Sequence, residues 1–307
     1  MVGRRQAGMA LLLVTLLWGG TFVWMKQALN AAQSFTQTYN ASSVVGVMVG
    51  FRFLLAALIL LTISSTARQS LSSKHDWTGS IWLGIAMLLG YGIQMVGLES
   101  ISPSVSAFLT SLYVVFTALL SLKITEKKMN RIFILGVLSA TFGAGFIDGP
   151  PQLVWGWGEV LTVISALFFA IHIILTDIAT KRLNPIAVSQ ISFIIVGIGA
   201  LGFGLISAGE ISILKLILHD GVLLPLLLLS LFGTLVCLLV LNFFQKYFHP
   251  THAAIIYAFE PVWATIYGIQ VGLVDVSGWL WVGGLAILIG NILVELEAKN
   301  NKRDAAI

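Results

Sequence analysis

The chain has 307 residues and a formal net charge of +4, with 58% apolar residues and only 10% Asp, Glu, Lys or Arg. Globular proteins normally carry roughly 25% charged residues, so this composition excludes an ordinary water-soluble domain. The single cysteine, Cys237, excludes an internal disulfide and a multi-cysteine metal or redox site. The basic residues follow a pattern that membrane topology explains, so we also exclude a nucleic-acid partner.

Ten apolar segments follow one another along the chain, each close to the roughly 20 residues that a membrane helix needs. They run over 7–28, 43–63, 79–98, 103–122, 131–148, 156–176, 186–208, 222–245, 251–273 and 278–297. The segment at 131–148 has the weakest apolar signal. The first is about twice as long as the apolar run of a signal peptide, so we interpret it as an uncleaved span. The sequence therefore predicts an all-α, multi-pass membrane protein with ten transmembrane helices.

The Lys and Arg residues predict the orientation, because these residues collect in cytoplasmic loops. With the N-terminus in the cytoplasm, 14 of the 17 fall on the cytoplasmic side: Arg4, Arg5, Arg68, Lys74, Lys123, Lys127, Lys128, Arg131, Lys181, Arg182, Lys246, Lys299, Lys302 and Arg303. Lys215 falls outside, and two more lie within spans. Both termini are therefore predicted to be cytoplasmic, in a cell membrane that we expect to be a bacterial inner membrane.

An internal repeat is indicated by a shift of 147 positions, which sets 102–109 over 249–256. Proline and alanine match in this alignment, and both prolines, Pro103 and Pro250, open a span, as expected of a helix first turn. Each half then holds five spans. Because five is odd, the second half must cross the membrane inverted relative to the first. The predicted units are 7–148 and 156–297, followed by a cytoplasmic tail at 298–307.

Short motifs in both halves carry a resemblance to a known family: Leu17–Phe22 followed by Lys26, Phe51–Phe53, Ala107–Leu112, Thr125–Lys127 and Ala254–Val262. With these motifs the chain resembles EamA-type exporters of the drug/metabolite transporter superfamily over nearly its whole length. The resemblance implies two inverted EamA repeats of five helices, a central substrate cavity, and export of amino acids or similar metabolites by alternating access. One departure is Val114, where the family usually carries proline in the middle of the fourth span.

Three charged residues within the spans are the first candidates for substrate binding, since a charge at membrane depth usually faces a cavity or a partner. The planar guanidinium of Arg52 suits a substrate carboxylate. The alternatives for Arg52 are a structural pair with Glu260 or a contact with helix-end carbonyls. Glu260 either pairs with Arg52 or Lys26, or binds and releases a coupling proton. Lys26 either contacts substrate or extends its amino group to the membrane interface.

Polar and aromatic residues at helical spacing predict the walls of the cavity. The remaining candidates are Trp18 and Phe22 in span one, Tyr91 and Gln94 in span three, His172 in span six, Gln190 in span seven, Asn242 in span eight, and Tyr257, Trp263 and Tyr267 in span nine. His172 is a candidate proton carrier. The alternative is that these residues hydrogen-bond between helices without contacting a substrate.

The sequence favours a secondary transporter that exports small metabolites, most simply amino acids or related carboxylated compounds. The alternatives are a drug, cation or nucleoside efflux carrier and a passive uniporter of the same fold. An enzyme is disfavoured, because no nucleophile, paired carboxylate or metal motif is present, and the Gly-x-Gly-x-x-Gly at 197–202 lacks a preceding strand. We expect no cofactor or metal and no obligatory protein partner, so a monomer suffices. The expected partners are a small-molecule substrate, the lipid bilayer and, as a candidate coupling ion, the proton.

Overall fold

A computed structural model describes residues 4–125, 131–146, 155–248 and 250–303. Within these ranges the regular structure is helical throughout, without a strand. The first half contains eight α-helices: α1 (Arg4–Ala31), α2 (Gln33–Thr38), α3 (Ala41–Ile63), α4 (Ser65–Ser70), α5 (Lys74–Leu98), α6 (Pro103–Thr110), α7 (Tyr113–Thr125) and α8 (Arg131–Phe146). The predicted all-helical class therefore holds for the described part of the chain.

The second half begins with α9 (Trp157–Thr180) and α10 (Pro185–Ala208) and a 3-10 helix at Ile211–Leu218. Next, α11 (Leu223–Leu228), a π-helical stretch (Leu229–Val236) and α12 (Cys237–Phe244) run on as one span, which a 3-10 turn (Gln245–Tyr247) closes. The chain ends in α13 (Pro250–Tyr257), α14 (Glu260–Gln270) and α15 (Gly278–Arg303). The π-helical stretch places an extra residue in one turn, a feature frequent at functional sites.

Each of the ten predicted spans coincides with a helix or with a run of helices. Among the described residues, seven segments are long and apolar enough to cross a membrane: Arg5–Ala31, Ala41–Ile63, Lys74–Leu98, Pro103–Ser121, Trp157–Thr180, Pro185–Ala208 and Leu223–Tyr247. Shorter apolar helices cover Arg131–Ala144 and Gly278–Val294. The predicted span at 251–273 is divided between α13 and α14. Lys127, Lys128, the predicted boundary at 148 and tail residues 304–307 lie outside the described residues.

Local sequence signals explain where several helices begin. Pro103 and Pro250 are the first residues of α6 and α13, as their sequence context predicted. The side chain of Asn40 accepts a hydrogen bond from the Ser43 amide at 2.8 Å and so caps α3, and Ser102 caps α6 in the same way. The short helices α2 and α4 were not predicted, because six residues are too few to show a helical period.

Two helix pairs between the halves, α3 with α10 and α8 with α15, make contacts that repeat at 147-residue spacing. In the first pair, a Cβ added to Gly50 of α3 would lie 2.6 Å from the Leu201 side chain, and a Cβ added to Gly197 of α10 would lie 2.7 Å from the Leu54 side chain. Gly50 and Gly197 are 147 positions apart, as are Leu54 and Leu201. The contacts are therefore reciprocal, as an approximate two-fold axis between the helices requires.

The second pair, α8 and α15, shows the same relation. The Ser139 hydroxyl donates to the Ala286 carbonyl at 2.8 Å, and these residues are 147 positions apart. Added Cβ atoms on Gly136 and Gly143 would lie 2.8 Å and 2.5 Å from the carbonyl oxygens of Gly290 and Gly283. Glycines thus let these two backbones touch, which gives close helix packing in the absence of large side chains.

Two spans are interrupted at positions that also differ by 147. Turns at residues 111–112 separate α6 from α7, and turns at 258–259 separate α13 from α14. In the first turn the amides of Leu112 and Val114 bond to carbonyls three residues back instead of four. This break forms although Val114 replaces the proline expected there. Each second half-helix therefore starts at an equivalent position, Tyr113 in one repeat and Glu260 in the other.

Candidate functional site

A cavity lies among helices of both halves, where α1, α5 and α9 approach the two interrupted spans. Its lining residues are Trp18, Thr21, Tyr91, Gln94, Thr110, Tyr113, Phe169, His172, Ile173, Leu241, Tyr257 and Glu260. Six of the thirteen residues predicted to bind substrate are among them: Trp18, Tyr91, Gln94, His172, Tyr257 and Glu260. The predicted placement of a site between the two halves thus has a matching cavity, although seven predicted residues do not line it.

Aromatic rings form much of the cavity wall and hold one another in place. The rings of Trp18 and Tyr257 meet edge to face with centroids 5.5 Å apart, and those of Tyr91 and Phe169 do so at 5.0 Å. Such pairs stabilise a fixed wall by about 0.5–1.5 kcal/mol each beyond their burial. The Trp18 indole also donates to the Gly233 carbonyl at 3.2 Å, within the π-helical stretch. These contacts fix the aromatic part of the wall, and aromatic rings attract cations.

Glu260 is the charged residue on this wall. It is the first residue of α14, its side chain is only 8% exposed, and it has no hydrogen bond or ion pair to another residue in the described ranges. The ion pair found in those ranges joins Lys181 to Asp177 at 2.7 Å, at the end of α9. The predicted structural alternative, an Arg52–Glu260 pair, does not form. A buried carboxylate without a counter-charge is unfavourable, so the arrangement favours binding of a cation or a proton.

Neutral hydrogen bonds fix the polar groups around the cavity. The Gln94 amide donates to the Thr110 hydroxyl at 3.0 Å. The Tyr257 hydroxyl donates to Gln245 Oε1 at 3.2 Å, and Gln245 in turn donates to the Ile173 carbonyl at 2.8 Å. These bonds tie α5 to α6 and α13 to α9 around the site. The Tyr257 hydroxyl donates its hydrogen to Gln245, so a substrate acceptor would have to compete with that bond.

His172 lines the cavity and contacts the Thr176 hydroxyl, with 3.4 Å between Nε2 and Oγ1. Thr176 lies one helical turn further along α9, and both residues are buried. A histidine with a hydroxyl neighbour on its own helix agrees with the predicted alternative of a bundle hydrogen-bonder. Its proposed role as a proton carrier stays a prediction.

Arg52 is buried at 1% exposure but does not line the cavity. Its Nε donates to the Thr234 hydroxyl and its Nη1 lies 3.8 Å from the Met25 sulfur. The guanidinium carbon lies 4.9 Å from the centroid of Tyr91 and 5.4 Å from that of Phe53. Tyr91 therefore contacts Arg52 and borders the cavity, so the arginine supports the wall through a cation–π contact.

Replacing Thr234 by Val is expected to destabilise the protein by about 1–3 kcal/mol. The change keeps the shape of the side chain but leaves the Arg52 Nε without its acceptor in a buried setting. The measurement is the unfolding free energy in detergent micelles titrated with denaturing detergent. Thr62→Val is the matched control, because the Thr62 hydroxyl bonds within its own helix at an exposed position. Equal stability of the two variants would show that the Arg52–Thr234 bond contributes nothing.

Lys26 and Phe22 lie on α1 but outside the cavity lining. The Lys26 ammonium donates to the carbonyls of Leu98 at 3.0 Å and Glu99 at 2.7 Å, where α5 ends. The ammonium therefore satisfies carbonyl groups at the end of α5, and its positive charge interacts favourably with the negative, C-terminal end of that helix's dipole. Phe22 is fully buried in the apolar core.

Four further predicted residues lie in other parts of the bundle. Gln190 is fully buried in α10, and neither polar atom of its amide has a partner in the described ranges. Asn242 donates to the Ser189 hydroxyl at 2.7 Å and so joins α12 to α10.

Trp263 packs on Gly19, where an added Cβ would lie 2.4 Å from the Trp263 Cβ. Tyr267 is half-buried on α14. The turn at 258–259 interrupts the helix that the spacing of Tyr257, Trp263 and Tyr267 assumed.

Three polar residues of the cavity were not predicted: Thr21, Thr110 and Tyr113. The signal that identifies two of them is the repeat itself. Thr110 is 147 positions before Tyr257, and Tyr113 is 147 positions before Glu260. Carrying the ninth-span candidates back to the fourth span would have found both. Thr21 has no comparable signal, because its hydroxyl bonds to the Trp18 carbonyl of its own helix like many threonines in apolar helices.

The fold places the chain in a class of protein, namely the multi-pass helical membrane proteins. Apolar helices enclose a polar and aromatic cavity between two similar halves, and no cluster of metal-binding side chains occurs among the described residues. The sequence profile of the EamA-like transporter family matches this chain twice, over residues 6–147 and 156–296. The chain belongs to the EamA-like transporter family, within the drug/metabolite transporter superfamily.

Two relatives extend this result. The chain is 28% identical over 295 residues to an uncharacterized transporter of Archaeoglobus fulgidus, covering 96% of this chain and 87% of that protein. It is 26% identical over 179 residues to the uncharacterized transporter YoaV of Bacillus subtilis, covering 56% of this chain and 58% of that one. The family and both relatives are transporters and not enzymes.

A crystal structure of a protein at 16% identity has a similar fold. Its TM-score is 0.55, and the match covers 93% of this chain and 98% of the other. At this identity the likeness concerns the fold alone.

Proposed function

We propose that this transporter exports small solutes that carry a protonated amino group, by alternating access around the central cavity. The observation that supports the proposal is Glu260, a buried carboxylate on the cavity wall without a protein partner in the described ranges. An ammonium group would form a charge-assisted hydrogen bond with it. Trp18 and Tyr257 line the same cavity, and aromatic rings of this kind add attraction for a cation.

The class includes amino acids and cationic drugs, which share the ammonium group. It excludes neutral nucleosides as preferred cargo, because they offer nothing to neutralise Glu260. The proposal does not use Arg52 as the site of a substrate carboxylate, since the guanidinium lies outside the lining residues and contacts Tyr91 instead. In this proposal the protein binds the positively charged ammonium group of the substrate through Glu260, and not a carboxylate through Arg52.

The topology we propose for this function has ten crossings, two inverted halves and both termini in the cytoplasm, in the cytoplasmic membrane. The reciprocal contacts of α3 with α10 and of α8 with α15, at 147-residue spacing, support the two-fold relation between the halves. The clustering of Lys and Arg in alternate connections supports the orientation. In such an arrangement the halves rock about the shared cavity.

Glu260 would also couple export to protons. One carboxylate holds either a proton or an ammonium ion, so a proton entering from outside displaces the solute. A coupled antiporter accumulates phenylalanine against its gradient when one side of a vesicle is acidified, whereas a uniporter does not. Phenylalanine is used because a simple amine crosses the bilayer as its free base and collects on the acidic side without a carrier, and protein-free liposomes give the background.

The test of the proposed function is solute counterflow in proteoliposomes loaded with unlabelled compound. The panel contains phenethylamine, phenylalanine and phenylacetate, which carry an amine, an amine with a carboxylate, and a carboxylate alone. We expect exchange of the first two and none of the third. Exchange restricted to phenylacetate would contradict the proposal and return Arg52 to the role of substrate ligand.

A further inference from the structure

Tyr113 lines the cavity from the first repeat, whereas Glu260 lines it from the second repeat. Tyr113 is the first residue of α7, it is 4% exposed, and it lines the cavity with Glu260 and Tyr257. Its hydroxyl is enclosed and has no hydrogen-bond partner among the residues that the structure describes. The hydroxyl of Tyr257, by contrast, is bonded to Gln245. The two tyrosines of this site therefore differ: the hydroxyl of Tyr257 has a hydrogen-bond partner in the protein, and that of Tyr113 has none among the described residues.

An enclosed hydroxyl without a partner is unfavourable, and a phenylalanine at this position would avoid that loss. The Tyr113 phenol and the Glu260 carboxylate border the same cavity. One small molecule bound in that cavity can therefore contact both residues. Tyr113 borders the cavity while its hydroxyl is enclosed in this conformation. A solute in the cavity would supply the missing acceptor once the hydroxyl turns toward it.

The repeat gives an independent reason to pair these residues. Tyr113 and Glu260 are 147 positions apart, and each begins the half-helix that follows a turn in its span. Equivalent backbone positions in the two halves thus present a hydroxyl on one side and a carboxylate on the other. The site is asymmetric in chemistry although its backbone is nearly symmetric, so it can bind a molecule whose two ends differ.

We propose that the Tyr113 hydroxyl donates a hydrogen bond to an acceptor on the substrate while Glu260 binds the amino group. The preferred substrates are then amines that also carry a carboxylate, carbonyl or hydroxyl oxygen, rather than simple amines. This inference rests on the proposed function and narrows its substrate class. Tyr113 is a specificity-determining residue, because losing its hydroxyl affects only solutes that have the acceptor.

The experiment compares phenylalanine with phenethylamine, which differ by one carboxylate, in counterflow by wild type and Tyr113→Phe. We expect the half-saturating concentration of phenylalanine to rise about tenfold or more, the effect of losing one hydrogen bond to a charged group. That of phenethylamine should stay within about twofold. Tyr113→Phe removes an oxygen that has no protein partner in the described ranges, so folding should be retained, and thermal unfolding in detergent checks this.

Tyr267→Phe is the matched control, since Tyr267 is half-buried and lies outside the cavity lining. An equal effect of Tyr113→Phe on both compounds, or no effect on either, would overturn the inference. If Glu260→Gln still reduces exchange by about tenfold or more in that case, the proposed function stands without this inference. If wild type shows neither exchange nor a thermal shift with either compound, the proposed function fails, and this inference fails with it.

Discussion

Replacing Glu260 by Gln is expected to reduce counterflow of amine-bearing solutes by about tenfold to a hundredfold. The change removes the negative charge that borders the cavity and keeps the size of the side chain. A lost charge-assisted hydrogen bond accounts for roughly 1.5–3 kcal/mol, which corresponds to that range. Folding should be retained or improved, because the carboxylate has no protein partner in the described ranges and its burial is unfavourable. The measurement is initial counterflow of phenethylamine in proteoliposomes.

Asp177→Asn is the matched control for this experiment. Asp177 is also a carboxylate of low exposure, yet it lies outside the cavity lining and pairs with the largely exposed Lys181. A pair whose lysine is largely exposed contributes little, so transport and stability should change only slightly. Equal counterflow by Glu260→Gln and wild type would remove Glu260 from substrate binding.

Replacing Gly46 by Ala is expected to destabilise the bundle by about 1–3 kcal/mol, the usual effect of overpacking. An added Cβ on Gly46 would lie 2.7 Å from the Gly204 Cα and 2.8 Å from the Ala200 carbonyl oxygen. Both neighbours are backbone atoms of α10, so the clash is relieved only if the two helices separate. The measurement is the unfolding free energy in mixed micelles or the midpoint of thermal unfolding.

The opposite sign is expected for Gly202→Ala on α10, the helix that Gly46 of α3 packs against. No atom lies within 4 Å of a Cβ added there, and alanine has the higher helix propensity, by about 1 kcal/mol. A stability loss at Gly46 with no loss at Gly202 would place the tight contact between α3 and α10. Equal stability of the Gly46 variant and wild type would show that these helices are not packed as closely as described.

The apolar segments show how much of the fold can be predicted from the sequence. Long charge-free intervals predicted helices that the structure describes, because a bilayer imposes a length and a composition on every span. Pro103 and Pro250 predicted the starts of two helices, and the 147-residue shift predicted the internal repeat. Short connecting helices such as Gln33–Thr38 escaped prediction, since their few residues carry no periodic signal.

The sequence by itself determined the membrane class, the family resemblance, the repeat spacing, and Glu260 and Arg52 as charges within spans. Only the tertiary structure decided that Glu260 borders the cavity while Arg52 lies behind Tyr91, and that Tyr113 shares the site. The physical reason is that helical spacing defines which residues share a face of one helix. Which neighbouring helix that face meets depends on packing across the bundle, where glycines at Gly50 and Gly197 set the approach of the two halves.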